Sequence, residues 1–171
     1  ERLKIFLGFL LFVFTNIVTP FSYGPVGIDE TAYLAQAEFI AGTNWNDVMI
    51  GITYHSFGCA VIPGLIIKAF GSTVFAYKLI LLHNSIIIVI CYFLVNKLID
   101  RQIPNLDDKS VPIISFIVIL YPSNLGYSNC LSAELYVTFG YLLISYILFE
   151  YLSCKKKIQL VLLGSISVYE V

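Results

Sequence analysis

The sequence predicts an all-α protein: a polytopic bundle of transmembrane helices, with amphipathic juxtamembrane helices in its first external loop. Of its 171 residues, 58% are hydrophobic and only 12% are charged, and the mean hydropathy is +0.86. Soluble domains carry about 25% charged residues, and a chain of this length cannot bury so much apolar surface away from water. The apolar residues also form long runs separated by polar connectors, so we expect most of the chain to lie in a lipid bilayer.

The net charge and the cysteines exclude several classes of function. The formal net charge is −1, whereas binding to nucleic acid needs a basic face that neutralises phosphates. The four cysteines have no C-x-x-C spacing, which argues against a zinc site or a redox motif and favours small packing residues. Since the chain begins with Glu1 rather than Met and stops within an apolar run, we expect it to be the N-terminal portion of one larger transmembrane domain.

The first predicted span covers about residues 5–22, and Arg2 and Lys4 precede it. No small-residue cleavage site follows, so the pattern favours an uncleaved helix over a signal peptide. The chain then enters a predicted external loop, about residues 23–73, which is mixed in polarity and interrupted by glycine and proline.

Within this loop, residues 29–41 are predicted to form a short helix. Asp29 is a suitable N-cap and Gly42 a suitable C-terminal stop. Spacing of i, i+4, i+7 and i+8 places four residues on one face: Tyr33, Ala37, Ile40 and Ala41. The other side of the helix carries Glu30 and Glu38.

The rest of the chain contains one broken apolar stretch and several predicted spans. Residues 57–70 are interrupted by Pro63 and Gly64, which predicts a kinked helix at the membrane interface. The further spans are predicted at about residues 74–98, 111–127 and 131–152, with an incomplete one at 158–171.

Lysine and arginine decide the predicted orientation. If every span crosses, most basic residues fall on one face, namely Arg2, Lys4, Lys97, Arg101, Lys109, Lys155, Lys156 and Lys157. The positive-inside rule makes that face cytoplasmic, and only Lys68 and Lys78 lie opposite. The same arrangement brings the following residues to the external face: Asp29, Glu30, Glu38, Asp47, His55 and Glu134.

Two acidic elements on this external face are candidates for chemistry. Asp29 and Glu30 follow the first span, and Glu134 stands at the entry to the 131–152 span. A half-buried carboxylate can act as a general base toward a hydroxyl group, or can help to bind a divalent cation that neutralises phosphate. The purely structural alternatives are an N-cap role for Asp29 and a favourable helix-dipole position for Glu134.

Other polar residues have equally ordinary interpretations. His55 can ligate a metal or transfer protons, but a lone interfacial histidine is more often a hydrogen-bonding residue. Lys78 can meet a lipid phosphate, although snorkelling explains it equally well. His83 and Asn84 lie within a span, where polar groups usually bridge helices.

Several short motifs follow one another in a characteristic order. After the first span they are Asp29-Glu30-x-x-Tyr33, Ala37 to Ala41-Gly42, Tyr54-His55-Ser56-Phe57-Gly58, Ile66-Ile67-Lys68-Ala69-Phe70-Gly71, Tyr121-Pro122 and Ser132-Ala133-Glu134.

This order resembles the N-terminal part of the GT-C superfamily of membrane glycosyltransferases, and in particular bacterial relatives of the protein O-mannosyltransferases and of the lipid A aminoarabinose transferase. The resemblance implies an enzyme that moves a sugar from a polyprenyl-phosphate carrier to a glycan, lipid or protein acceptor on the external side of the cell membrane. Asp29 matches the general base of these enzymes. Glu30 and Glu134 would then position the acceptor or a metal ion, and Tyr33, His55 and Lys78 are candidate substrate contacts.

Two other classes of membrane protein remain open from the sequence. A transporter or lipid flippase would use the acids to bind ions or substrate, but such proteins more often place acids mid-span in broken helices. A non-catalytic membrane scaffold would use Asp29 and Glu134 only as helix-end residues. The bilayer is a partner in every case, and the identity of a cofactor, with a divalent metal ion as the candidate, is left open.

Overall fold

The computed structural model describes residues 1–18, 28–44 and 58–154, and in these ranges the chain is helical apart from short links. A 3-10 turn at Gly58–Ala60 leads into the third helix. The helices are α1 (Arg2–Val18), α2 (Ile28–Ala41), α3 (Val61–Phe70), α4 (Val74–Gln102), α5 (Ser110–Ile119), α6 (Pro122–Ser128) and α7 (Ala133–Cys154). The prediction of an all-α fold is confirmed for the described part of the chain.

Two of these helices are long and apolar enough to cross a membrane. They are α4, with 29 residues, and the 21 residues Ala133–Ser153 of α7. A third candidate is the pair α5 and α6, which meet at a bend of 65°. Helix α1 has 17 residues, while the end of its predicted span beyond Val18 and the segment 158–171 lie outside the described residues.

Helix α4 is the centre of the bundle, and it packs against α1, α3, α5, α6 and α7. Its N-terminus is capped by Thr73, whose Oγ1 accepts a hydrogen bond of 3.1 Å from the backbone N–H of Ala76. A central cluster of buried side chains surrounds its middle: Leu11, Ile87, Ile88, Cys91, Tyr92, Val95, Ile119 and Leu135. These contacts make α4 the element against which the rest of the bundle is placed.

Helix α2 has almost the predicted boundaries. It begins one residue early, at Ile28, so Asp29 lies inside the first turn and the predicted N-cap role of Asp29 is wrong. The predicted stop is correct: Gly42 adopts a φ of 99°, and the N–H of Thr43 reaches the carbonyl of Glu38 at 2.9 Å. This is the Schellman pattern, which favours glycine because other residues are strained at positive φ.

Helices α2 and α3 pack closely through Gly64. A Cβ built on Gly64 would lie 2.7 Å from the Cβ of Ile40 and 2.9 Å from the carbonyl oxygen of Ala37. A second buried cluster, the α2 cluster, forms at this contact and comprises Tyr33, Ala37, Cys59, Ala60, Ile67, Ile80 and Leu131. The helix predicted over 57–70 becomes a 3-10 turn followed by α3, so Pro63 falls in the first turn of α3, where a missing N–H is tolerated.

The span predicted at 111–127 is divided into α5 and α6. Proline at position 122 fixes its own φ and lacks an N–H, and it keeps the preceding residue out of the helical region. Tyr121 accordingly has φ −53° and ψ 130°. A new helix starts at Pro122, which gives the bend.

The end of the bundle that holds the C-terminus of α4 is rich in basic residues. Arg101 forms an ion pair with Glu150 of α7, and Lys97 lies over the ring of Tyr146 at 5.1 Å. The carbonyl of Lys4 accepts a hydrogen bond of 3.2 Å from Tyr92, which places the start of α1 toward the same end. These contacts concern Lys4, Lys97 and Arg101, whereas Lys155, Lys156 and Lys157 lie outside the described residues, so the predicted common face of all eight basic residues stays a prediction.

We expect Gly64→Ala to destabilise the protein by about 1–3 kcal/mol, because the added methyl group clashes with Ile40 and Ala37. Thermal unfolding in detergent measures the change. The matched control is Gly126→Ala in α6, where a Cβ would meet no atom within 4 Å. Equal melting temperatures for the two variants would contradict the close α2–α3 contact.

Candidate functional site

The carboxylate of Glu30 is buried where α2, α4 and the link before α7 meet. Glu30 is only 6% exposed. Its Oε1 accepts a hydrogen bond from the hydroxyl of Tyr77 and another, of 2.9 Å, from the backbone N–H of Leu131. Because a buried charge is costly unless it is hydrogen-bonded, these donors fix the first turn of α2 against two distant parts of the chain.

The link between α6 and α7, residues 129–132, is held from two sides. Glu30 binds the N–H of Leu131, and the Nδ2 of Asn84 donates to the carbonyl of Cys130 at 2.8 Å. Asn84 is fully buried, and its Oδ1 lies 3.4 Å from the hydroxyl of Tyr136. Side chains thus bind two backbone groups of this non-helical link, the N–H of Leu131 and the carbonyl of Cys130. Asn84 connects α4 to the link and to α7, as predicted.

The two glutamates act on the same thiol. Burial raises the pKa of Cys130, and the negative charges of Glu30 and Glu134 raise it further. Burial, with a contribution from Glu134, also raises the pKa of Cys59 to about 12. Because Glu30 accepts a hydrogen bond from the N–H of Leu131, and Glu134 follows Leu131 by three residues in the first turn of α7, we treat Glu30 and Glu134 as one site and call it the acidic end.

The two acids of this end differ in exposure. Glu30 lies in the first turn of α2, and Glu134 in the first turn of α7. Both positions favour negative charge because of the helix dipole. Glu134, however, is exposed, whereas Glu30 is enclosed by its donors. Glu134 can therefore exchange protons with water or a ligand, and Glu30 mainly holds helices together.

The other predicted site residues are placed as follows. Asp29 adjoins Glu30 in the first turn of α2, but its side chain lies outside the described atoms. Tyr33 is buried in the α2 cluster. Lys78 is exposed on α4, next to Tyr77. His55 lies outside the described ranges.

Sequence reasoning missed Tyr77 and the backbone of Leu131. A tyrosine near the start of an apolar helix is normally read as an interfacial aromatic residue, and a backbone N–H carries no sequence signal. The burial of Glu30 and Glu38 was missed too, since helical spacing alone shows only that they share a side. Glu38 is 3% exposed, and its Oε2 accepts a hydrogen bond of 3.0 Å from Thr43.

The described residues do not form a metal site by themselves. Within residues 1–18, 28–44 and 58–154, no three His, Cys, Asp or Glu side chains are grouped so that they could hold a metal ion. What the arrangement offers is an exposed carboxylate beside a rigid, hydrogen-bonded junction of helices. Comparisons of the chain with protein-family models, curated protein sequences and solved structures found no match.

We expect Tyr77→Phe to lower the free energy of unfolding by about 1–3 kcal/mol, because the buried carboxylate of Glu30 loses a donor. Unfolding in detergent, followed by circular dichroism, measures the loss. Tyr141→Phe is the matched control, since Tyr141 is 64% exposed on α7. If the two variants unfold alike, the hydrogen bond does not hold the junction.

We expect Glu134→Gln to speed alkylation of Cys130 by N-ethylmaleimide at pH 8. Removing the negative charge lowers the pKa of the thiol, and the larger thiolate fraction reacts faster. Peptide mapping by mass spectrometry follows Cys130 alone. Glu1→Gln, which removes the carboxylate that precedes α1, is the control and should react as the unaltered protein does. An unchanged alkylation rate in Glu134→Gln would show that the charge of Glu134 does not act on the Cys130 thiol.

Proposed function

We propose that the chain forms part of a membrane glycosyltransferase of the GT-C type, which transfers a sugar from a polyprenyl-phosphate carrier to a glycan, lipid or protein acceptor on the external face. The order of the sequence motifs supports this proposal. The observation that carries it is the contact between Glu30 and Leu131, which are 101 residues apart. That contact brings the turn holding Asp29 beside the segment that leads to Glu134.

The proposed reaction needs a base at the membrane boundary. Asp29 takes the proton of the acceptor hydroxyl while the oxygen of that hydroxyl attacks the anomeric carbon of the sugar. The bond between that carbon and the phosphate oxygen breaks, and the polyprenyl phosphate leaves. A lipid-linked donor keeps its tail in the bilayer, so its reacting bond lies at the headgroup level, where helix N-termini such as those of α2 and α7 are expected.

Glu30, Glu134 and Lys78 have different parts in this proposal. Glu30 is a positioning residue, because its carboxylate is already engaged by Tyr77 and Leu131. Glu134 is exposed and can orient the acceptor or a divalent cation. Lys78, exposed near the same junction, can attract the phosphate of the donor.

The distribution of acids in the two long helices favours an enzyme over a transporter or flippase. Helix α4 has no acidic residue before Asp100, and the acids of α7 are Glu134 in its first turn and Glu150 in its last two turns. A transporter would be expected to place ionisable groups near the middle of its spans. The sugar-transfer assay described next distinguishes an enzyme from a scaffold without activity.

We expect Asp29→Asn to abolish sugar transfer by the full-length protein in membranes, because the amide cannot accept the acceptor's proton. Transfer is measured with radiolabelled polyprenyl-phosphate sugars. Asp100→Asn, which changes an exposed aspartate at the far end of α4, is the control and should remain active. Both variants should reach the same membrane level as the unaltered protein.

Two results would overturn the proposal. Full transfer by Asp29→Asn would remove Asp29 from the role of base. If the folded, unaltered protein transfers no polyprenyl-phosphate sugar, a role in transport or as a scaffold is favoured instead.

A further inference from the structure

An apolar groove of about 350 Å³ runs between α1 and α4 on the outside of the bundle. Its walls include Ile5, Phe9 and Phe12 from α1 and Ile86, Ile90 and Phe93 from α4. Gly8 lies on the floor and allows the helices to approach, since a Cβ there would be only 3.1 Å from the Phe93 ring. The groove is separate from the acidic end, because its lining includes none of the residues of that end.

A basic group stands at one end of this groove. The Nζ of Lys4 lies 6.0 Å from the centroid of the Phe93 ring, which is itself part of the wall. The backbone of Lys4 is fixed by the hydrogen bond from Tyr92. Arg2, which precedes Lys4 by two residues in the sequence, is exposed. One end of the groove therefore lies beside the positive charge of Lys4.

We propose that this groove is a binding site for an anionic phospholipid, with an acyl chain between α1 and α4 and the phosphate beside Lys4. Basic residues at the end of a cleft between membrane helices attract anionic headgroups. An acyl chain needs no hydrogen bonds, which suits a wall of aliphatic and aromatic side chains. This site is independent of the glycosyltransferase proposal.

The shape of the groove favours a lipid chain over another helix. Helices that associate in membranes generally meet through small residues that allow their backbones to approach. Here large side chains project on both sides, including Phe9, Ile86 and Ile90, which are 64%, 45% and 41% exposed. A flexible chain fits between such side chains, whereas a second helix would be held away from the floor.

Native mass spectrometry of the full-length protein with phosphatidylglycerol or phosphatidylcholine of identical acyl chains tests the site. We expect the unaltered protein to retain phosphatidylglycerol preferentially. Lys4→Gln should weaken phosphatidylglycerol binding about five-fold, as expected for the loss of one basic residue near the headgroups, and Lys4→Arg should retain it. Lys68→Gln, at an exposed lysine of α3, is the matched control and should bind as the unaltered protein does.

A second pair of variants tests the groove itself. Ile90→Trp should fill it and reduce binding of both lipids, whereas Ile117→Trp, at an exposed position on α5 outside the groove, should not. Equal retention of the two lipids by the unaltered protein, or unchanged binding in both Lys4→Gln and Ile90→Trp, would overturn the proposal. A change of oligomer mass in Ile90→Trp without loss of lipid would also overturn it, because a second copy would then occupy the groove.

Discussion

The hydrogen-bonded carboxylate of Glu30 is the constraint on which the arrangement of the acidic end depends. A carboxyl group buried among apolar helices is costly unless it is hydrogen-bonded. The two donors described here come from residues 47 and 101 positions away, Tyr77 and Leu131. The position of the first turn of α2 is therefore coupled to the start of α4 and to the link before α7. The buried carboxyl group of Glu30 thus links α2, α4 and the link before α7. Asp29 lies on the same turn of α2, so the contacts of Glu30 also orient the backbone at Asp29.

The opposite end of the bundle is held by interactions of another kind. Arg101 and Glu150 pair across α4 and α7, and the ring of Tyr146 lies beneath the cations of Lys97 and Arg101. These groups are partly exposed, so water and salt screen them, and each contributes little to stability. These contacts connect the C-terminal parts of α4 and α7, and under the positive-inside rule an excess of basic residues at this end would predict that it faces the cytoplasm. Helix α4 thus connects the hydrogen-bonded junction around Glu30 to a partly exposed end that carries Lys97 and Arg101.

Some of this architecture could be predicted from sequence, and the physical reason is clear in each case. Long apolar runs identify α4 and α7, since few other arrangements can accommodate 20 or more such residues. Gly42 marks the end of α2 because its positive φ suits glycine. The bend at Tyr121–Pro122 was not predicted, although proline was visible there, because overall apolarity outweighed the local signal. The partners of Glu30 could not be predicted at all, because they depend on which side of α2 packs and on a backbone N–H that no residue type encodes.

The contrast between Glu30 and Glu134 narrows the chemistry that the acidic end can perform. Glu30 is 6% exposed and its Oε1 accepts hydrogen bonds from Tyr77 and Leu131, so a substrate that is to contact its carboxyl group must displace the side chains around it. Glu134, which is exposed, has no such cost. In the proposed reaction, this difference favours Glu134 over Glu30 as the acid that contacts the acceptor, and it leaves the role of base with Asp29, as the sequence resemblance implies. If the proposed transfer takes place here, the bilayer fixes the depth of the lipid-linked donor and the protein must hold its base at that same depth, and the contacts of Glu30 would supply that support for the turn that carries Asp29.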